Sequence, residues 1–154
     1  DPDGATKGKV DLEHLSIGVD ITATICDYAQ VPMMPKMTIA KSLKPLVEGK
    51  QVDWRDYIIG ESFHGQQVAI RDQQHKTILY LNPKIQAKVF DLKADPLEMK
   101  NLVDTPGGRA VMANHRSRLL EFLDTVELYE PPGKAMNRAH QLYLNYYRKR
   151  REEA

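Results

Sequence analysis

Four short apolar segments in the middle of the chain alternate with polar or Gly/Pro-containing breaks. They are rich in β-branched and aromatic residues, which is typical of strands. The segments are Tyr57–Ile59, Gln67–Arg71, Thr77–Leu81 and Lys88–Leu92. Because the links between them are short, they predict an antiparallel meander of four strands.

Helical spacing of apolar residues precedes this meander. Leu15–Ala29 predicts a buried helix with a wide apolar stripe, for which Asp20 or Ser16 is a suitable cap. Ser42–Glu48 predicts a short helix that its first serine caps and Gly49 follows.

Helical spacing returns after the strands. Arg109–Leu128 has one apolar face, which predicts a helix buried on the meander. Pro131-Pro132-Gly133 breaks the chain, and Lys134–Glu153 predicts a last amphipathic helix. Strands followed by a helix on one face predict an α+β fold.

Composition restricts the classes of partner. The 154 residues contain 22 Lys and Arg against 21 Asp and Glu, so the net charge of +1 indicates no nucleic-acid partner. No apolar run approaches the roughly 20 residues that cross a bilayer, so no membrane partner is expected either. Cys26 is the single cysteine, which excludes an internal disulfide.

The most informative segment is KVFDLKADPLEMKNL, at Lys88–Leu102. Asp95-Pro96 predicts the start of one helical turn, because proline is favoured at the first helical position and aspartate accepts hydrogen bonds from the free amides there. Asp91 is expected to make a turn bond. His75 and Lys76 are predicted to lie in a solvated turn.

This segment strongly resembles the (L/V)(Y/F)DL-x-x-DP-x-E-x-x-NL signature near the C-terminus of sulfatases, at Phe90, Asp91, Leu92, Asp95, Pro96, Glu98, Asn101 and Leu102. Further stretches resemble other sulfatase patterns: Val19–Val31, Ser42–Gly49, Arg55 with Glu61, and Val68–Arg71 with Lys76. Ala23, Gln30 and Ala40 depart from those patterns, which have Pro, Gly and Gly at these positions.

The resemblance, of the arylsulfatase or N-sulfoglucosamine sulfohydrolase kind within the alkaline-phosphatase superfamily, implies a division of the chain. Residues 1–50 correspond to the end of a partial α/β catalytic domain. Residues 51–130 correspond to a four-stranded antiparallel sheet packed by a C-terminal helix. Residues 131–154 lie beyond the resemblance and contain the predicted amphipathic helix. The resemblance therefore implies a C-terminal fragment of a sulfatase, a sulfuric ester hydrolase.

The resemblance also implies what this fragment lacks. Sulfatases oxidise the cysteine of a C-x-P-x-R motif to formylglycine, beside calcium held by Asp and Asn, and both elements precede the matching region. Cys26 has no such motif around it. We therefore expect no catalytic residue, metal ligand or cofactor in this chain, no activity of the chain alone, and calcium and formylglycine in the whole protein.

Three residues are candidates for substrate binding: Glu61, His64 and Arg71. Glu61 and His64 flank a polar connection between strands, a common place for binding groups, and the corresponding sulfatase region can recognise substrate. An ordinary hairpin connection explains them as well. Arg71 suits a sulfate or carboxylate, or an ion pair with Asp72 or Glu61.

Two other functions stay open, namely a stand-alone module for anionic glycans, suggested by Arg148–Arg151, and a part of a related phosphatase or phosphodiesterase. The expected partners are the missing N-terminal catalytic portion, a sulfated substrate and, through self-association, a second copy. Ile21, Ile25, Tyr28 and Val31 would lack their usual packing in this chain. Localisation is left open between periplasmic, secreted and lysosomal.

Overall fold

The computed structural model describes residues 8, 10–33, 39–62, 67–80, 82, 84–125 and 145. The chain forms two compact units, Asp1–Ile58 and Ile59–Ala154, and each is described by itself. In the part of the chain described, no helix has the length and apolar character needed to cross a bilayer.

The first unit contains helix α1, Gly18–Ala29, and the single turn α2, Lys44–Val47. α1 begins three residues later than Leu15 because Ile17 is still extended, at φ −129° and ψ 164°. Neither predicted cap residue is the N-cap. Asp20 instead lies in the first turn, where its carboxylate accepts a hydrogen bond of 2.8 Å from the backbone N–H of Ile17.

The C-terminus of α1 turns at Gln30, which has a left-handed φ of 55°. Its N–H donates to the carbonyl of Asp27 at 3.2 Å, and the N–H of Val31 donates to that of Cys26 at 3.0 Å. Glycine adopts this conformation most readily. The position is one of those where the chain departs from the sulfatase pattern, which has glycine there.

The predicted meander is confirmed. Its strands are β1, Tyr57–Ser62, β2, Gln67–Asp72, β3, His75–Tyr80, and β4, Lys88–Asp91, in the order β1-β2-β3-β4. The β2–β3 and β3–β4 pairs are antiparallel. The prediction that His75 and Lys76 lie in a solvated turn was wrong. Gln73 and Gln74 make the turn, and His75 and Lys76 belong to β3.

Helix α3, Pro106–Thr125, packs on the sheet and completes the α+β fold. It begins three residues earlier than Arg109, since the Thr105 hydroxyl accepts a 3.0 Å hydrogen bond from the N–H of Gly108 and Pro106 suits the first position. Apolar side chains from both layers form the core, namely Val68, Ile70, Leu79, Val89, Phe90, Leu119, Leu120 and Leu123. The predicted helix Lys134–Glu153 lies outside the described residues.

Candidate functional site

The buried carboxylate of Asp20 is the centre of the first unit. Arg55 donates to both carboxylate oxygens, from Nη1 to Oδ2 and from Nη2 to Oδ1, the latter at 2.8 Å. The backbone N–H groups of Ile17 and Lys41 donate at 2.8 Å each. Arg55 Nη2 also donates to the Ile39 carbonyl at 2.9 Å. One carboxylate therefore joins the start of α1, the segment before α2 and the segment before β1.

The pKa of Asp20 lies below its ordinary value of 3.8. Burial by itself would raise this pKa, because it disfavours the charged form. The hydrogen bonds from Arg55 and from the amides of Lys41 and Ile17 outweigh burial. Asp20 is therefore an anion at neutral pH, and its role is structural because four hydrogen bonds already occupy the lone pairs that a substrate could use.

Polar side chains of α1 form hydrogen bonds within the first unit, on the helix face that also carries the buried Ala23. Thr24 accepts a 2.8 Å hydrogen bond from the N–H of Leu43, and Asp27 accepts one of 2.6 Å from the hydroxyl of Ser42. With Asp20, these residues follow the i, i+4, i+7 spacing of one helical face. Ile21, Ile25 and Tyr28 are exposed, so the predicted burial of the apolar stripe was wrong, whereas the expectation that these residues lack their usual packing in this chain is confirmed.

Cations surround Trp54 in the same unit. Its ring centroid lies 5.6 Å from Lys41 Nζ and 5.3 Å from Arg55 Cζ. Its Nε1 donates to the carbonyl of Leu15 at 2.7 Å. The ring thus lies beside the guanidinium group that binds Asp20, and the indole N–H fixes the residues before α1.

The signature segment of the second unit forms consecutive turns. The Asp91 carboxylate accepts hydrogen bonds of 3.0 Å from the N–H groups of Lys93 and Ala94, so its predicted turn bond is confirmed. The predicted helix cap at Asp95 was wrong. Residues 96 and 97 form a turn rather than a helix, and the Asp95 carboxylate accepts from the N–H of Lys100 at 2.7 Å.

Asn101 holds the end of this segment against β4. Its Oδ1 accepts from the N–H groups of Val89 at 2.9 Å and Val103 at 3.1 Å. Its Nδ2 donates to the carbonyl of Ala87 at 3.3 Å. The asparagine of the signature therefore satisfies backbone groups on three segments.

Glu98 also holds the signature segment in place. Its backbone has a left-handed φ of 55°, which is unfavourable for a residue with a Cβ. Lys76 Nζ lies 2.9 Å from Oε1 and 2.8 Å from Oε2. The Lys76–Glu98 ion pair fastens the strained turn to β3, and it joins two blocks that resemble sulfatases separately in the sequence.

His115 of α3 connects helix and sheet through a buried polar network. Its Nδ1 lies 2.7 Å from the Thr77 hydroxyl, and its Nε2 lies 3.2 Å from an Asp72 carboxylate oxygen. A hydroxyl, an imidazole and a carboxylate in a row suggest nucleophilic catalysis. His115 and Thr77 are only 1% and 0% exposed, however, so no substrate reaches the hydroxyl. The network is structural.

Burial lowers the pKa of His115 below its ordinary value of 6.5, although Asp72 opposes this shift. Arg118 and His75 contribute in the same direction as burial. The pKa of Asp72 is also lowered. Burial would raise it, but the amides of His75 and Gln74 and the ring of His115 hold the charged form. Local sequence patterns give no sign of the partners of His115, which are 38 and 43 residues away.

The predicted substrate-binding residues Glu61 and Arg71 lie on neighbouring strands, β1 and β2. Both are exposed. Glu61 is one residue from the end of β1, and Arg71 is four residues beyond the start of β2 at Gln67. His64 lies outside the described residues.

The residues present do not fit the sulfatase cofactors. Within the described ranges, no group of three His, Cys, Asp or Glu is placed to hold a metal ion. Cys26 is a free, half-buried thiol on α1, and its sequence context, Ile-Cys-Asp-Tyr-Ala, is not a formylglycine motif. Arg71 forms no ion pair with another described residue.

Comparison with known proteins is consistent with this arrangement. Residues 2–125 match the family described as N-sulphoglucosamine sulphohydrolase, C-terminal. An arylsulfatase of Clostridium perfringens is 34% identical over 105 residues, which are 64% of this chain and 20% of that protein. An N-acetylglucosamine-6-O-sulfatase of Bacteroides thetaiotaomicron is 30% identical over 123 residues, covering 73% of this chain and 21% of the relative.

Solved structures share the fold. A phosphonate monoester hydrolase of Silicibacter pomeroyi superposes with a TM-score of 0.66 at 19% identity, over 80% of this chain and 28% of the other. A 2-O GAG sulfatase superposes with a TM-score of 0.59 at 22% identity, over 79% and 28%. The chain spans about a fifth of the length of the curated relatives. By its match over residues 2–125, the chain belongs to the family of sulfatase C-terminal domains.

Proposed function

We propose that this chain is the C-terminal portion of a sulfatase and acts as a structural element of that enzyme. The formylglycine and calcium centre would be supplied by the remainder of the enzyme, which is the expected partner. The curated relatives extend well beyond the matched region, since it makes up 20% and 21% of two of them.

The observation that carries this proposal is that the residues resembling sulfatase motifs bind other groups of the same chain. Asp20 and Arg55 bind each other, and Lys76 binds Glu98. Asn101 binds backbone groups. Side chains whose polar atoms are occupied within the chain position backbone segments, and they are not available to attack or protonate a substrate.

Substrate contact is proposed for the connection between β1 and β2. Glu61 is exposed beside this connection, and its carboxylate is suited to accept hydrogen bonds from sugar hydroxyl groups. His64 belongs to the same connection, whereas Arg71 lies near the end of β2 and would serve a separate contact. The names of relatives, such as the N-acetylglucosamine-6-O-sulfatase, make a sulfated sugar our proposed substrate class.

A chimeric enzyme tests the proposal. In the Clostridium perfringens arylsulfatase, the 154-residue chain replaces the segment that it matches, and turnover of an aryl sulfate is measured. We expect the chimera to hydrolyse the ester and the isolated chain not to do so. A folded chimera without turnover, or turnover by the chain alone, would contradict the structural role.

Glu61→Gln tests the substrate contact in a second chimera, built in the same way in the Bacteroides thetaiotaomicron N-acetylglucosamine-6-O-sulfatase and assayed on a sulfated sugar. If Glu61 contacts substrate, losing a charged hydrogen bond should raise KM about tenfold. Glu121→Gln is the matched control, because Glu121 is exposed on α3. Equal KM values for the two variants would remove Glu61 from the substrate contacts.

A second candidate parent is a phosphonate or phosphate ester hydrolase. The TM-score of 0.66 to the phosphonate monoester hydrolase favours its consideration, although this likeness concerns the fold alone. A third chimera, in which the chain replaces the matching segment of that hydrolase, is assayed on an aryl phosphonate. Comparing its turnover with that of the arylsulfatase chimera distinguishes the two parents. Activity restored in the hydrolase chimera alone would favour the second candidate.

A further inference from the structure

Strand β4 lies at one edge of the sheet that the structure describes, because the strand order is β1-β2-β3-β4. Its inner side pairs with β3, with Phe90 opposite Lys76 and Val89 opposite Thr77. The N–H and C=O groups on the outer side of an edge strand can pair with a strand of another chain, which makes such edges sites of association. The groups that occupy the outer side of β4 therefore decide whether this edge is open.

The signature segment occupies the outer side of β4. Asn101 Nδ2 donates to the carbonyl of Ala87 at 3.3 Å, and Asn101 Oδ1 accepts from the N–H of Val89 at 2.9 Å. The carbonyl of Val89 accepts from the N–H of Leu102 at 2.8 Å. Residues 87 and 89 use the same side of the strand because alternate residues do so. Asn101 and the residue after it thus bind consecutive backbone groups along this edge.

Asn101 binds the edge as one residue of a neighbouring strand would. A strand residue offers an N–H donor and a C=O acceptor, and the side-chain amide of asparagine offers the same two groups. The orientation of the amide follows from its partners, since the N–H groups of Val89 and Val103 both need an acceptor and lie 2.9 Å and 3.1 Å from Oδ1. The asparagine therefore takes the place of a further strand.

The edge that Asn101 covers belongs to the core of the second unit. Val89 is 0% and Phe90 6% exposed, so β4 is covered on both faces. A backbone group left unpaired in such surroundings costs free energy comparable to a lost hydrogen bond. Without the side chain of Asn101, the Ala87 carbonyl and the Val89 N–H would need new partners.

We propose that Asn101 closes the outer side of β4 against a second copy of this chain. The two groups that it covers are one acceptor and one donor, so two opened edges complement each other. In an antiparallel pair about a two-fold axis, the Val89 N–H of each copy would donate to the Ala87 carbonyl of the other. This inference goes beyond the proposed function and does not depend on it, because all its contacts lie within the second unit.

Asn101→Ser is the variant that opens this edge. Serine is shorter and has a single hydroxyl, so it does not replace the amide at Ala87 and Val89, although it can still accept from the N–H of Val103 in a local turn. Asn101→Ala is made beside it and removes all of these bonds. Asn114→Ala controls for the loss of an asparagine side chain, because Asn114 is exposed on α3.

Leu119→Ala controls for lost stability. Leu119 is 1% exposed in the core, so its truncation lowers the melting temperature without removing a hydrogen bond of β4. The mass of each variant of the 154-residue chain is measured by light scattering over a range of protein concentrations. Hydrogen exchange of the Val89 amide, followed by NMR, reports on the edge itself.

We expect the mass of Asn101→Ser to rise above that of the wild-type chain as concentration increases, while Asn114→Ala and Leu119→Ala keep the wild-type mass at each concentration. In dilute Asn101→Ser, the Val89 amide should exchange about tenfold faster than in the wild type, because it has lost a hydrogen bond. At high concentration this amide should be protected again, since a second copy then binds it.

Wild-type masses for both Asn101 variants at every concentration would overturn the proposal. Equal association of Leu119→Ala would also overturn it, because lost stability would then be the cause. Association of Asn101→Ser that leaves the Val89 amide unprotected would place the interface on another surface and overturn it as well.

Discussion

Replacing Asp20 with asparagine removes the anion at the centre of the first unit while keeping its size. The oxygen of the introduced amide can still accept a hydrogen bond, but the NH2 group would face donors of Arg55. The Arg55 side chain is only 12% exposed, so its charge would be left without a counterion in a partly dry site. Breaking a buried pair in this way costs about 3 kcal/mol or more.

Trp54 provides a direct assay for this change. It is the single tryptophan, and its ring contacts Arg55 and Lys41, so its fluorescence follows unfolding of the first unit. We expect urea unfolding of Asp20→Asn to show an unfolding free energy lower by about 3 kcal/mol.

Glu48→Gln is the control for the Asp20 variant, because it removes an exposed ion pair to Lys50 that should contribute less than about 1 kcal/mol. The pH dependence provides a second check. Because the folded pKa of Asp20 lies below 3.8, its contribution is present above that pH and is lost as pH falls through the folded pKa. An Asp20→Asn variant as stable as Glu48→Gln, with unchanged acid unfolding, would refute the reasoning.

Three further predictions concern single residues. Gly108→Ala should destabilise the second unit by about 2 kcal/mol, because a Cβ there would lie 1.8 Å from the Leu102 carbonyl oxygen. Gly107→Ala is the control, because a Cβ at Gly107 meets open space and should not destabilise the unit. Thermal unfolding followed by circular dichroism compares the two variants. Gln30→Gly should raise the melting temperature by relieving a left-handed residue, a gain of about 1 kcal/mol, and a lower value would contradict this account. Since the pKa of His115 is lowered from 6.5, the unfolding free energy of the second unit should fall as pH drops below 6.5 and level off below the folded pKa. His115→Gln should flatten this dependence of the unfolding free energy on pH, and an unchanged dependence would exclude His115 as its source.

The strands were predictable because their signal is local. The alternating burial of β2 and β3 follows directly from the alternation of side chains along a strand, with Val68 and Ile70 buried on one and Thr77 and Leu79 on the other. The start of α3 was placed too late because Gly107 and Gly108 are poor helix formers. The preceding Thr-Pro was the available signal, since threonine caps and proline follows a cap.

The contacts that define the candidate site were not predictable from local patterns. Asp20 and Arg55 are 35 residues apart, and Lys76 and Glu98 are 22 apart. Spacing along the chain carries no information about such pairs without the fold. The resemblance to sulfatase motifs marked all four residues as special but could not say whether they bind substrate or each other.

The error for α1 has a different cause, and it bears on function. The spacing of Ile21, Ile25 and Tyr28 correctly predicts a helix with one apolar face. The inference that this face is buried assumes that the chain contains the helix's packing partner, whereas here the polar face is used internally. A helix that fixes its polar face through a buried ion pair holds its apolar face in one orientation before any partner arrives. In this chain the Asp20–Arg55 pair fixes the orientation of the exposed residues Ile21 and Ile25 in the same way.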